Sequence, residues 1–401
     1  MKDVIIIGAG FAGATVANVL ANKGKNVLII DKRNHIGGNA YDYMEEDILI
    51  HKYGPHIFHT NSKEVFDYLS NFTEWYKYEH KVLGHVDNKL VPIPFNFKSI
   101  EECLPDKAEK LIELLKKDYG EGKKVPIMDL LMNENRDIRY LANYIYEHVF
   151  KYYTMKQWDM KVEELDSAVS ARVPVNTSYD DRYFNDTYQY MPKEGYTKLI
   201  GKMLDNEHIE VLLSTNVTDI LKLEDGTIYY NNVPFDGDVY YTGAIDELFE
   251  YKHGELPYRS LDLILERLNK TFQDAATENY PENDVKFTRI TEYKHFMEDE
   301  PKGVTYIHTE YPFPYRRDAD VGNVPYYPII KDENQALYET YVKEASKYPK
   351  LHLIGRLAEY KYYNMDAIVL KALEMTKWII WRLDLVPSIY FKNIHIFIVY
   401  N

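Results

Sequence analysis

One stretch near the start of the chain, residues 4–31, constrains the fold more than any other. The run Val4–Ile7 is short, apolar and β-branched, which is typical of a buried parallel strand. Gly8, Gly10 and Gly13 follow it in the spacing G-x-G-x-x-G. A strand that leads into such a turn predicts the first half of a unit that binds a dinucleotide.

The residues after the glycines complete this unit. Apolar residues at helical spacing over 14–23 predict a helix, and a second buried strand is predicted over 26–30. That strand ends on Asp31. Its spacing along the sequence from the glycines is the one at which an acidic side chain accepts hydrogen bonds from a ribose. A chance glycine-rich βαβ turn is the alternative, but all four parts favour a dinucleotide site.

Each glycine has its own physical task in such a unit. Gly8 permits the tight turn, Gly10 lets the backbone reach a pyrophosphate, and Gly13 lets helix and strand pack closely. The start of the helix offers free N–H groups and a partial positive charge to the phosphates.

Composition limits the partners and the compartment. The net charge of -15 argues against a nucleic acid bound over the whole surface, although a local basic pocket could still hold an anionic ligand. The single cysteine, Cys103, excludes an internal disulfide and a cysteine-based metal site. No signal peptide is visible, and no stretch reaches the roughly 18 apolar residues of a membrane span. We therefore expect a cytoplasmic protein.

A second glycine pair, Gly37-Gly38, lies shortly after Asp31. It indicates a second place where the backbone approaches the cofactor. Nicotinamide enzymes do not need such a pair, whereas flavin enzymes of the glutathione-reductase-like and amine-oxidase-like groups usually have it. The pair therefore favours a flavin, and an ordinary type II turn is the alternative.

Two histidines, His56 and His59, lie three residues apart beside a Gly-Pro pair. A metal site needs at least one further ligand, and none is evident nearby in the sequence. We expect no metal here. The two histidines could be residues of a binding site, and the alternative is that they are ordinary surface or packing residues.

Read in order, the motifs resemble those of the bacterial UDP-galactopyranose mutases. They are GAGFAG, RNHIGGNAYD, GPHIFHT, VPIPFN, YTMKQW, RVPV, DDRYF, MPKEGYTKLI, FTRITEYKHF, TEYP, PYYPI and GRLAEYKYYNMD. The first motif alone is not specific, whereas the combination is. The resemblance extends to about residue 380, and the last twenty or so residues differ from the usual end of the family.

The resemblance implies an α/β fold with a Rossmann-like FAD-binding domain, an inserted helical domain and a mostly antiparallel sheet domain. The FAD-binding domain is expected over 1–80, 193–246 and 331–401, the helical domain over 98–168, and the sheet domain, which holds the substrate, over 81–97, 169–192 and 247–330. Periodicity predicts helices over 100–115, 137–150 and 366–383, and strands over 210–219, 239–243 and 351–355.

The reaction implied by the resemblance is the redox-neutral interconversion of UDP-galactopyranose and UDP-galactofuranose. In the family, N5 of reduced FAD attacks the anomeric carbon and expels UDP, the adduct opens to an iminium, and the sugar recloses as a five-membered ring. No Ser-His-Asp set or close acid pair is identifiable from spacing, which agrees with a nucleophile supplied by the cofactor. An external reductant such as NAD(P)H and a homodimer are also implied.

Two arginines match the phosphate-binding positions of the family, Arg172 in RVPV and Arg289 in FTRIT. The planar fork of arginine pairs with phosphate oxygens and stabilises charge on the departing diphosphate. We expect a mobile loop to deliver Arg172 after the substrate binds. A surface salt bridge is the alternative for either residue.

The remaining site positions are implied by the same motifs. Substrate contacts are expected at Phe150, Tyr153, Thr154, Trp158, Tyr183, Asn279, Glu310, Tyr326, Tyr327 and Tyr362, where simple packing is the alternative. FAD contacts are expected at Gly8, Gly10, Ala12, Gly13, Asp31, Lys32, Gly38, Asn39, His56, Ile57, Val217, Arg356, Tyr363, Asn364, Met365, Asp366, Ala367 and Ile368. His59 is placed on the flavin side of the pocket.

Three questions stay open from the sequence. A flavin enzyme of the amine-oxidase type, which transfers hydride, shares the N-terminal motifs but should lack the two arginine motifs. A non-catalytic nucleotide-binding protein would keep only the fold. The sugar could be galactose or N-acetylgalactosamine, and one or two pocket residues, with His59 among the candidates, would decide between them.

Overall fold

The computed structural model of the protein describes residues 2–159 and 174–385, and side chains of the last helix to residue 377. The strands are β1 Val4–Ile7, β2 Val27–Ile30, β3 Asp42–Glu45, β4 Ile48–His51, β5 Phe58–Thr60, β6 Trp75–Lys77, β7 Val82–Val86, β8 Lys89–Ile93, β9 Lys124–Pro126, β10 Pro174–Asn176, β11 Tyr188–Pro192, β12 Ile209–Leu212, β13 Leu221–Glu224, β14 Thr227–Tyr230, β15 Val233–Pro234, β16 Asp238–Tyr241, β17 Tyr258–Leu268, β18 Thr277–Asn279, β19 Arg289–Glu292, β20 Thr305–Pro314, β21 Tyr327–Pro328 and β22 Leu351–Leu353. The helices are α1 Phe11–Ala21, α2 Lys63–Leu69, α3 Phe97–Cys103, α4 Ala108–Tyr119, α5 Ile127–Leu131, α6 Arg136–Ile145, α7 Tyr152–Trp158, α8 Tyr196–Leu204, α9 Ile245–Leu248, α10 Asp332–Ala345 and α11 Met365–Leu385.

A parallel sheet in the order β12-β2-β1-β16-β22 forms the nucleotide-binding half of the fold. Val4 and Ile6 of β1 point into one apolar core, and Ile5 and Ile7 point into another on the opposite face. Both faces are covered, which explains why β1 is apolar throughout. Because β2 and β16 lie on opposite sides of β1, the sheet has its switch point there, and a crevice opens at the carboxyl ends of these strands.

The second sheet has seven strands in the order β21-β17-β20-β19-β18-β7-β8. Its neighbouring strands are antiparallel except for β18 and β7, which run parallel. The α/β fold with a Rossmann-like unit and a mostly antiparallel sheet is therefore confirmed. In the part of the chain that the structure describes, no helix is both long and apolar enough to cross a bilayer.

The helical segment has its own apolar core, built from α3 to α6, the turn that follows α6, and the edge of the large sheet. The prediction of one helix over 100–115 is wrong, because α3 ends at Cys103 and α4 begins at Ala108. Pro105 explains the break, since proline lacks an N–H and disfavours helical geometry at the residue before it. Leu104 indeed has φ -129 and ψ 52. The segment that continues α6 widens into one π-helical turn, Tyr146–Lys151, before α7.

Strands β10 and β11 differ from the expectation that residues 169–192 join the large sheet. β10 pairs with β9, and β11 lies between β5 and β6. The side chain of Met191 on β11 is buried with Phe58 in the core of the nucleotide-binding half, which accounts for this placement. The division of the chain into three domains stays a prediction, which the separate core of the helical segment supports.

Candidate active site

A cleft that is open to solvent lies at the carboxyl ends of β1, β2 and β16. This is where α/β sheets of this topology bind their ligands. Of the residues predicted to contact the cofactor, the cleft is lined by Gly8, Gly10, Ala12, Asp31, Lys32, Gly38, Asn39, His56, Val217, Arg356, Tyr363, Asn364, Met365 and Ile368. Gly13, Ile57, Asp366 and Ala367 do not line it.

The turn between β1 and α1 has no room for a side chain at Gly8 or Gly13. Gly8 has φ +108, and a Cβ atom there would lie 1.9 Å from the hydroxyl oxygen of Thr242. A Cβ atom on Gly13 would lie 2.0 Å from the carbonyl oxygen of Gly8, so Gly13 allows α1 to pack on β1. The first helical bond runs from the N–H of Ala14 to the carbonyl of Gly10, which leaves the preceding N–H groups free for an anion.

The second glycine pair packs directly against this turn. The N–H of Gly37 donates to the carbonyl of Ala9 at 2.8 Å, and a Cβ atom on Gly10 would lie 3.5 Å from Cα of Gly38. The two glycine-containing loops therefore pack backbone to backbone along one wall of the cleft.

Asp31 lies at the mouth of the cleft in the position expected of a ribose partner. Its carboxylate accepts hydrogen bonds from the N–H of Ala9 at 2.8 Å and from the N–H of Arg33 at 2.9 Å. Each oxygen keeps lone pairs for further donors, and the two backbone bonds fix its direction. Lys32 and Glu247, both lining the cleft, form an exposed ion pair at 3.1 Å.

His56 and Arg356 stand at the other end of the cleft. Burial lowers the pKa of His56 to about 3, so the imidazole is neutral. Its Nδ1 lies 2.8 Å from the carbonyl of Gly54, which requires the proton on Nδ1 and leaves Nε2 as an acceptor. The Arg356 guanidinium donates to the carbonyls of Tyr326 and Tyr363 at 3.1 and 2.6 Å, and it has no ion pair with any described residue.

Sequence reasoning missed several residues of the cleft. They include Arg33, Thr215, Asn216, Thr242, Gly243, Glu247, Pro325, Gly355 and Leu357. Thr242 and Gly243 directly follow β16, and Gly355 follows β22 after one residue. Their places at the carboxyl ends of predicted parallel strands were the signal that could have identified them.

Arg289 lies on β19 of the large sheet, beside Glu310 on β20. Its Nε and Nη2 donate to Oε2 of Glu310 at 2.9 and 2.8 Å. Although burial opposes the charged form, the Glu310 carboxylate raises the pKa of the Arg289 guanidinium above its usual value. Nη1 of Arg289 has no hydrogen bond to a described residue, so one edge of the fork is open to a ligand.

Aromatic residues surround this arginine. Burial raises the pKa of Tyr153, which lies close enough to Arg289 for its charge to lower that pKa in turn. The rings of Trp158 and Tyr327 are 6.3 Å apart, and Tyr327 stacks on Tyr362 at 5.9 Å. Burial also raises the pKa of Tyr327 to about 12, so its hydroxyl is a donor at neutral pH.

Arg356 connects this cluster with the cleft. Its guanidinium lies 5.3 Å from the ring centre of Tyr327 and 4.9 Å from that of Tyr362, a cation–π arrangement. Since Arg356 also lines the cleft, the two predicted sites meet at this side chain.

The other predicted substrate residues differ in placement. Asn279 is the register partner of Arg289, and its side-chain oxygen is buried without a hydrogen-bond partner in the described structure. Tyr183 lies near Tyr153, and Tyr326 precedes Tyr327 with its carbonyl bound by Arg356. Thr154 and Phe150 are buried, and Phe150 lies in the core of the helical segment with no exposed surface. Arg172 lies outside the described residues.

His59 does not line the cleft. Its Nδ1 lies 3.0 Å from a carboxylate oxygen of Asp186, and its ring stacks on Phe184 at 3.7 Å. The role of His59 in sugar selection stays a prediction.

Comparison with known proteins gives an independent view of the chain. A family model described as UDP-galactopyranose mutase matches residues 148–362, and one described as NAD(P)-binding Rossmann-like domain matches residues 6–72. The chain is 35% identical over 380 residues to a probable UDP-galactopyranose mutase of Klebsiella pneumoniae, covering 93% of both chains. It is 32% identical over 386 residues to dTDP-fucopyranose mutase of Escherichia coli, covering 93% of this chain and 97% of the relative. A crystal structure of reduced UDP-galactopyranose mutase has the same fold, with TM-score 0.67, 16% identity, and coverage of 95% and 94%.

Proposed function

Because this chain belongs to the UDP-galactopyranose mutase family, we propose that it interconverts UDP-galactopyranose and UDP-galactofuranose with reduced FAD as its cofactor. The reaction is redox-neutral, so the cofactor must be reduced once and then serve many turnovers. Both proposals extend the coarser finding that the chain is a mutase.

The cleft fits FAD in its chemistry. The α1 start and the paired glycine loops suit a pyrophosphate, and Asp31 suits a ribose. Arg356 and neutral His56 would face the ring system, where an uncompensated positive charge favours an anionic reduced flavin. When bound, reduced FAD would supply the nucleophile, at N5.

Arg289 is proposed to hold the diphosphate. Glu310 takes two of its N–H groups and thereby aims the open edge of the fork in a fixed direction. This edge can bind a phosphate oxygen and stabilise the charge that grows on the departing UDP. Tyr153 and Tyr327 add neutral donors next to it, and Arg172 is proposed as the second arginine of the clamp.

The observation that carries the proposal is the position of Arg356. It lines the cofactor cleft and also lies over Tyr327 and Tyr362 of the arginine site. A cofactor in the cleft and a nucleotide-sugar at Arg289 would therefore meet at one side chain, as a reaction between them requires.

A dTDP-linked sugar is the second candidate substrate. It is favoured by the likeness to dTDP-fucopyranose mutase, which is nearly as strong as the likeness to the UDP-galactopyranose mutase of Klebsiella. N-acetylgalactosamine in place of galactose is a third possibility that the sequence left open.

Product analysis tests the proposal. Dithionite-reduced protein is incubated with UDP-galactopyranose, UDP-N-acetylgalactosamine or dTDP-fucopyranose, and furanose products are separated by chromatography, with oxidised protein as the control. We expect UDP-galactofuranose from the reduced protein only. Conversion of only the dTDP sugar would support the second candidate substrate in place of the UDP sugar. The absence of a furanose product from all three substrates would contradict the proposed mutase activity.

A further inference from the structure

A partly buried ammonium group joins the two walls of the proposed substrate site. Lys156 lies on α7, and its Nζ donates to the main-chain carbonyls of four residues in the loop between β18 and β19. These are Tyr280 at 2.6 Å, Glu282 at 2.7 Å, Val285 at 3.2 Å and Phe287 at 3.1 Å. The loop therefore closes around a single cation.

This arrangement resembles a cage for a monovalent cation. An ammonium has three N–H donors, so four carbonyl acceptors exceed its supply and one N–H is shared. Rings of main-chain carbonyls at such distances are also how proteins hold K⁺. Lys156 thus places an ammonium group, carried by α7, where an empty loop would leave four carbonyls facing one another.

The two elements that the cage joins carry the predicted substrate contacts. α7 bears Tyr153 and Trp158, on either side of Lys156 along the chain. The loop over 280–287 runs from Asn279 at the end of β18 to Arg289 at the start of β19. A displacement of the loop would therefore move Arg289 relative to Tyr153.

α7 is also held from its carboxyl end, by an arginine on β17. Nε of Arg259 donates to the carbonyl of Gln157 at 2.9 Å, and its Nη2 donates to the carbonyl of Lys156 at 3.3 Å. A cation at a helix carboxyl end satisfies carbonyls that have no helical partner. Arg259 thus holds α7 against β17, and the side chain of Lys156 holds the 280–287 loop against α7.

We propose that Lys156 is a positioning residue of the substrate site. Its ammonium fills the carbonyl cage of the 280–287 loop and thereby fixes the position of Arg289 relative to α7. This inference rests on the proposed function, because it concerns the binding of the UDP diphosphate. Lys156 touches neither substrate nor cofactor in this account.

The charges around the ammonium are few. Burial lowers the pKa of Lys156 to about 8, and the carboxylates of Asp284 and Glu282 oppose this shift. From the neighbouring elements, Arg259 approaches the main chain of α7, and His148 lies 3.2 Å from Glu282. Wild-type affinity for UDP should therefore fall as the pH rises through about 8 and the ammonium loses its proton.

The test combines two variants with chemical rescue. Lys156→Ala empties the cage, and Lys156→Met keeps the apolar stem without the charge. Lys151→Ala is the matched control, since Lys151 precedes α7, pairs with Glu147 at the surface and lies over the ring of Tyr152, away from the carbonyl cage. UDP affinity of the FAD-loaded proteins is measured by calorimetry, with and without about 100 mM methylammonium, and with tetramethylammonium as a salt control that cannot donate.

We expect both Lys156 variants to lose about tenfold or more in UDP affinity with normal FAD content, and Lys151→Ala to be unchanged. Methylammonium, but not tetramethylammonium, should restore most of the affinity of Lys156→Ala. Unchanged affinity in Lys156→Met, a loss that no cation restores, or wild-type affinity that is flat between pH 7 and 9.5 would overturn the inference. Wild-type protein that does not bind UDP would instead count against the proposed function.

Discussion

At the scale of single residues, Arg289 forms an ion pair with Glu310 and is also proposed to bind the diphosphate of the substrate. Its pairing with Glu310 neutralises both charges, yet Glu310 is only 2% exposed and would be left as an unpaired buried charge without the arginine. Loss of Arg289 therefore affects both stability and ligand binding, and the two effects must be measured apart.

Replacing Arg289 should remove most of the turnover while FAD stays bound. One charge-assisted hydrogen bond contributes about 1.5–3 kcal/mol, or roughly 10- to 150-fold, and a bond to the leaving group can exceed this. Arg289→Ala should lower kcat/KM by at least that factor, and Arg289→Lys should recover only part, because lysine lacks the fork. Reduced-enzyme kinetics provides the measurement, with Arg267→Ala, an exposed arginine of β17, as the control.

A double variant separates the two roles of Arg289. Arg289→Ala should destabilise the fold by about 3–5 kcal/mol, and Arg289→Ala with Glu310→Gln should regain much of this, since no buried charge is then left alone. Activity should stay low in both. Recovery of activity together with stability would show that Arg289 serves only the fold.

His295 should make the stability depend on pH. Although burial lowers the pKa of His295, the carboxylates of Glu292 and Glu300 raise it to about 9, above its ordinary value of 6.5. The folded state therefore binds the proton more tightly than the unfolded chain, so the stabilisation is full below pH 6.5 and is lost as the pH rises through 9.

Urea unfolding at several pH values tests this. Between pH 6.5 and 9.5 the free energy of unfolding of the wild type should fall by on the order of 1–3 kcal/mol more than that of His295→Gln. His208→Gln, a change at a partly exposed histidine, should follow the wild type. Parallel curves for wild type and His295→Gln would contradict the assignment.

At the scale of elements, the β1-turn-α1 unit was predictable because each part has a local cause. A four-residue apolar strand, three glycines and Asp31 need no distant information. The break at Pro105 was visible in the sequence too, but apolar periodicity continued across it and concealed it. Thr242 and Gly355 escaped prediction because they reach the cleft only through the pairing of β16 with β1 and of β22 with β16.

Gly10→Ala should separate cofactor binding from folding. Gly10 has φ -86, and an added Cβ would meet its nearest atom, Cα of Gly38, at an ordinary 3.5 Å, so the apo fold should change by less than about 1 kcal/mol. The same Cβ would project where the pyrophosphate approaches, so FAD content should fall tenfold or more.

Flavin released from purified protein and unfolding of the apo form are the two readouts. Gly201→Ala on α8 is the control, because its added Cβ meets only Ile36, at 3.7 Å. Full FAD content in Gly10→Ala would contradict the assignment of this turn to the pyrophosphate.

At the scale of the whole molecule, the site depends on contacts between distant parts of the chain. Arg356 and Tyr327 lie in different motifs, and Lys156 reaches carbonyls more than a hundred residues away. No spacing rule predicts such meetings. The motif resemblance marked most of these residues as site positions, but only the fold brings Arg356 into both sites and Lys156 into its cage.

The net charge of -15 is also a property of the whole molecule, and it affects how an anionic ligand approaches the site. A chain of this charge repels a nucleotide diphosphate at long range, so local cations must reverse the field within a Debye length of about 8 Å. Arg356, which has no ion pair with a described residue, supplies such charge at the described site, and Arg172 is proposed to add to it.

Counting electrons tests the central claim most directly. FAD-loaded protein is reduced once under anaerobic conditions, excess reductant is removed, and UDP-galactofuranose is added in large excess over flavin. The account predicts many molecules of UDP-galactopyranose per flavin, with the flavin still reduced at the end and Arg289→Ala nearly inactive. One product per flavin, with the flavin oxidised in step, would place the chain with the hydride-transferring flavoenzymes and contradict the account.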